Sequence, residues 1–73
     1  MKEWRKTTAA LIRGRVTEYF DKVSADFLHV IGVSSSAYYS RLKSPETIRL
    51  GEFRRMTKVL HLSDEEVLRI VKG

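Results

Sequence analysis

The stretch Phe27-Leu-His-Val-Ile-Gly-Val-Ser-Ser-Ser-Ala-Tyr-Tyr-Ser-Arg-Leu42 decides how this chain folds. Phe27, Ile31, Val33, Tyr38 and Leu42 are apolar anchors for two short helices, each burying one side. Between them sits Gly32, the residue type best able to adopt the left-handed conformation just past a helix end. Ser34 can then cap the second helix, with Val33 and Tyr38 spaced to close over that cap as a hydrophobic staple. Upstream, Ser24 can cap the first helix, Asp26 falls in the turn where the helix dipole favours a negative charge, and Val23 and Leu28 form another staple. The two helices are therefore joined by about three residues. Downstream, Lys43-Ser44-Pro45-Glu46 reads as a turn, because the residue before a proline is biased away from helix.

On either side of this pair the pattern remains helical. From about Arg5 to Lys22, the side chains of Ile12, Val16, Tyr19, Phe20 and Val23 fall on one face of a first helix. Gly14, inside that helix, either permits a close approach or is simply tolerated, and toleration is preferred. A fourth helix, from about Arg49 to Leu60, places Leu50, Phe53, Met56, Val59 and Leu60 on an apolar face, with Arg55 and Lys58 turned outward. No capping side chain stands at Arg49, and Thr47 is the candidate cap. Ser63 and Glu66 make a capping box for a fifth helix, with Leu62 and Val67 as its staple, so Asp64, Glu65 and Glu66 occupy its positive end. The expectation is an all-α, compact five-helix domain occupying residues 1–73 as one unit.

Composition agrees with that size and narrows the partners. A chain of 73 residues supports one core, since a domain this small buries only about 60% of the surface its unfolded chain exposes. Cysteine is absent, which excludes disulfides, thiolate metal sites and a cysteine nucleophile. No apolar run is long enough to span a bilayer and no signal peptide is visible, so a cytoplasmic location is expected and no membrane partner. The net charge of +5 suits a phosphate polyanion, although basic surfaces also occur on proteins with other partners. That charge lies in the flanks: Ser24 to Ser44 contains only Asp26, Arg41 and Lys43 as charged residues.

Two short helices joined by a tight turn containing glycine have the form of a helix-turn-helix over about residues 24–43, whose second helix can enter the DNA major groove. Phe27 to Glu46, with its Ile-Gly-Val-Ser turn and Tyr-Tyr-Ser-Arg-Leu-Lys-Ser-Pro tail, resembles the lambda-repressor and Cro-type (XRE-like) helix-turn-helix family. The resemblance extends through Leu50 to Leu60 and Leu62 to Leu68. It departs at Leu28, where that family usually has alanine, and at Ser24 or Ala25, where a phosphate-contacting glutamine often begins the helix. The resemblance implies a lambda-repressor-like fold and sequence-specific binding of double-stranded DNA, often as a homodimer on a palindrome. A transcription regulator of bacterial or phage type, acting as a repressor at the nucleoid, is the expectation; an antirepressor or adaptor using the same fold to bind protein is the alternative.

The residues divide accordingly. Helix three, about Ser35 to Leu42, turns outward Ser35, Ser36, Tyr39 and Ser40, which are the candidates for base contact, and Lys43. This face has no carboxylate and can approach DNA without repulsion. Phosphate contacts are assigned to Ser34, Arg41, Lys43, Arg49, Arg13 and Arg15. Tyr38 is assigned to the core and Tyr39, about 100° further around the helix, to the surface. Val67, Ile70 and Val71 spread apolar groups around more of helix five than one core contact needs, and they are the candidate dimer interface, at least on DNA. Trp4 is read as a lid on the core in preference to a partner contact. His29 and His61 lack companion ligands, so no metal is expected. The chain shows no Ser-His-Asp combination, glycine-rich phosphate loop or pair of acids, so no enzyme activity, cofactor or small-molecule ligand is expected either.

Overall fold

The computed structural model describes residues 2–73 and contains five α-helices: α1 (Lys2–Phe20), α2 (Ala25–Ile31), α3 (Ser35–Lys43), α4 (Leu50–Val59) and α5 (Asp64–Lys72). A single 3-10 turn, Pro45–Thr47, separates α3 from α4, and no strand occurs among the described residues. The all-α, five-helix expectation holds. α1 packs on α3 and α2 packs on α4. The radius of gyration of 11.1 Å matches the roughly 11 Å of a close-packed chain this long.

The anticipated caps are present. Ser24 Oγ accepts the Phe27 N–H at 3.1 Å, and Ser34 Oγ accepts the Ala37 N–H at 3.1 Å. Gly32 ends α2 with φ +74°, its own N–H and that of Val33 donating back to the last carbonyls of the helix. The left-handed backbone favours glycine at this position, and a Cβ there would also crowd the movable tip of Arg55, 3.2 Å from its Nη2. At α5 the capping box is complete: Ser63 Oγ accepts the Glu66 N–H and Glu66 Oε1 accepts the Ser63 N–H.

Five expectations need correction. The first helix begins at Lys2 and ends at Phe20, short of Lys22, because Asp21 adopts φ +69° and turns the chain; aspartate is among the residue types that tolerate this region. Tyr19, expected on the buried face, is 46% exposed, and its ring lies against His61. Leu50, at the start of α4, is likewise 66% exposed. That helix is capped from inside, with Glu52 Oε1 accepting the Arg49 N–H at 3.2 Å, while Thr47 donates within its own turn to the Ser44 carbonyl. Arg55 does not point to solvent alone, since its Nε donates to the Ile31 carbonyl at 2.9 Å and closes the end of α2.

The core runs from Ile12 and Val16 of α1 through Phe27 and Ile31 of α2 and Tyr38 and Leu42 of α3 to Met56, Leu60, Leu62 and Ile70. Leu28 is partly buried against it. Trp4 covers one end as expected, its Nε1 donating to the Ile70 carbonyl at 3.0 Å. Gly14 meets nothing within 4 Å of a built Cβ, which supports toleration rather than close approach.

Candidate nucleic-acid interface

Around α3 the side chains divide as a 3.6-residue period requires. Tyr38 and Leu42 face inward, Tyr38 fully buried with its ring edge-on to Phe27 at 5.4 Å. Ser35, Ser36, Tyr39, Ser40 and Lys43 are all exposed, Tyr39 to 55%. They leave a face of hydroxyls, one ring and one cation, with no carboxylate on α3 itself. Ser34 lies at the head of this face, and because its oxygen accepts from Ala37 its own O–H remains available to donate.

The arginines proposed for phosphate separate into two groups. Arg41 is half-buried and grips Glu52 through two nitrogens, at 2.9 and 3.3 Å, tying α3 to α4. The Arg41 side chain holds the Glu52 carboxyl below the usual carboxylate range, and Glu52 in turn raises Arg41. Arg15 points away from α3: it donates to the carbonyls of Leu60 and His61 and pairs with Glu66. The Ser63 N–H and then the Arg15 charge lower the Glu66 carboxyl. Both guanidinium groups are therefore occupied by structural partners. Arg13 and Arg49 remain exposed.

Arg13 also marks a feature that residue-by-residue reading missed. Two adjoining hollows run between α1 and α3, sharing Arg13 and Leu42; one is bounded by Thr17, Lys22, Val23, Tyr38 and Tyr39, the other by Arg5, Lys6, Ala9 and Lys43. The cations Lys6, Arg13, Lys22 and Lys43 rim this groove, and none of the lining residues is a carboxylate. Arg5 is the exception among the bases, being paired with Glu46. Lys6 and Arg13 stand seven residues apart, close to two helical turns, so they share a stripe of α1. That spacing was the available signal, whereas Lys22 enters only because the chain turns at Asp21.

The candidate dimer residues are dispersed. Ile70 is 8% exposed and belongs to the core beneath Trp4, which removes it from any external patch; Val67 is partly buried, and Val71 is 66% exposed. Leu68 and Leu50 are exposed as well, and Leu50 and Val71 border an apolar hollow with Trp4, Ile48 and Phe53. No described helix is long and apolar enough to cross a membrane.

Comparison with protein-family models, curated proteins and solved structures finds no match to this chain.

Proposed function

We propose that this protein is a sequence-specific double-stranded DNA-binding transcription regulator, a repressor of the bacterial or phage type, with α2 and α3 as its helix-turn-helix. The observation that carries this reading is the carboxylate-free exposed face of α3, flanked by the basic groove between α1 and α3. An α-helix fits the major groove, where base edges carry a distinct pattern of donors and acceptors. Ser35, Ser36 and Ser40 supply adaptable hydroxyls for those edges, and Tyr39 supplies a ring for a thymine methyl. Ser34, Lys43, Arg49 and Arg13 take the phosphates; Arg41 and Arg15 hold the scaffold together. Basic groups that contact phosphate fix register, and the face of α3 reads sequence. The resemblance to lambda-repressor and Cro-type domains supports the same assignment, as does the net charge of +5. Such a regulator works in the cytoplasm, at the nucleoid.

This reading includes a homodimer on DNA, since a two-fold dimer sets two recognition helices about 34 Å apart on a palindrome. Val71 and Leu50, both exposed and bordering one hollow, supply the surface for it, and Leu68 is a further exposed apolar residue of α5. The same apolar surface favours a second reading, in which an antirepressor or adaptor binds a protein partner there. Selection from a random duplex pool, with sequencing of the retained fraction, separates the two. Enrichment of a motif supports the regulator, and a retained fraction no different from the input pool rejects it.

A further inference from the structure

The hydroxyl of Tyr38 is buried and has no hydrogen-bond partner. Such a group costs stability, because it has given up water and received nothing in return. The ring alone accounts for the packing against Phe27, and phenylalanine would pack equally well. The hydroxyl therefore needs a separate explanation.

Tyr38 lines the hollow of about 180 Å³ between α1 and α3, together with Arg13, Lys22 and Tyr39. Burial, then Tyr39, push its hydroxyl up to about 12, while Arg13 pulls it back. Both of these neighbours line the same hollow with exposed side chains, Tyr39 packing edge-on to the Tyr38 ring at 5.2 Å, and a ligand reaches the hydroxyl once they move. What would then meet the hydroxyl is a site with a neutral donor at its floor, two cations at its rim and no carboxylate. Such a site selects an oxyanion.

We propose that one phosphate of the DNA backbone occupies this hollow, with the Tyr38 hydroxyl donating to a phosphate oxygen and Arg13 and Lys22 supplying the counter-charge. The proposal rests on the DNA-binding reading. A free anion is a poorer occupant, because two exposed cations around an open hollow hold a single ion weakly, whereas a duplex already engaged by α3 delivers its phosphate at high effective concentration. The hollow borders Tyr39, the exposed ring of the reading face, so backbone and base contacts would be made side by side. Tyr38 thus contributes to the core through its ring and to binding through its hydroxyl.

The experiment compares the parent with Tyr38→Phe, Arg13→Gln and Lys22→Gln by thermal melting without DNA and by duplex binding across a range of salt. Tyr38→Phe is expected to melt at or above the parent temperature and yet to bind every duplex about tenfold more weakly, as loss of one hydrogen bond to a charged group implies. Its salt slope stays that of the parent, since no charge is lost. Arg13→Gln and Lys22→Gln should each weaken binding on all sequences and each reduce the salt slope by about 0.9. Parent-like DNA affinity in Tyr38→Phe, or a full salt slope in both Gln variants, overturns the phosphate seat while leaving the regulator intact. A parent that retains no duplex at low salt overturns both. Inorganic phosphate added without DNA should protect the parent and Arg13→Gln equally. Protection that Arg13→Gln abolishes, with duplex affinity unchanged, would assign the hollow to a free ion and overturn the DNA assignment.

Discussion

Tyr38 and Tyr39 are neighbours in sequence turned about 100° apart around α3, and that rotation sends one ring into the core and the other to the surface. Tyr38→Ala removes a fully buried ring and should cost about 3 to 5 kcal/mol of stability, a large share of what a domain this small holds, read as a fall in melting temperature. Tyr39→Ala should leave melting nearly unchanged and weaken DNA binding. A stability loss at Tyr39 would contradict the orientation of α3. Gly14→Ala tests packing at the same scale: with open space around the new methyl, stability should rise by about 1 kcal/mol, and a loss would mean that the glycine has another role. The two tyrosines were legible from periodicity alone. The arginines were not, because Arg13, Arg15, Arg41 and Arg55 look alike until their partners are known. Those partners, Glu66 for Arg15, Glu52 for Arg41 and the Ile31 carbonyl for Arg55, lie far along the chain.

At the scale of the element, the caps were written plainly at Ser24, Gly32, Ser34 and Ser63, because each satisfies backbone groups within a few residues of itself. The end of α1 was hidden: Asp21 gives no sign in sequence that its backbone turns left-handed. The start of α4 was hidden too, since Glu52 performs the cap from inside the helix while also holding Arg41. This double use predicts a response to acid. Glu52 and Glu66 are both lowered in the folded protein relative to an ordinary value of 4.5. Their contribution is therefore complete above that value and is lost as pH falls through the lowered folded values. Denaturant unfolding should show stability declining below about pH 4.5. Glu52→Gln should reduce stability at neutral pH by about 1 to 2 kcal/mol and make the acid decline shallower. An unchanged acid profile would mean that the α3–α4 tie contributes nothing.

Across the whole molecule, the charge and the apolar surface make separate predictions. Val71, exposed on α5, is the clean probe of assembly, whereas Ile70→Asp would place a charge in the core and unfold the chain. Val71→Asp should fold normally and lose the two-chain complex on a palindromic duplex, as sedimentation would show. One parent chain per palindrome would end the dimer reading. The five-helix arrangement was legible because hydrophobic period and capping residues agreed along the chain. The groove between α1 and α3 was not, since it exists only when Lys6, Arg13 and Lys22 are brought beside Tyr39 and Lys43. The most direct test is an equilibrium titration of the parent and Tyr39→Ala against a selected duplex and a scrambled duplex of equal length, across a range of salt. The expected result is affinity for both that falls steeply with salt, a preference for the selected duplex of about a thousandfold or more in the parent, and a smaller preference in Tyr39→Ala. Equal affinity of the parent for the two duplexes, or no binding to either at low salt, would contradict the claim that α3 reads DNA sequence.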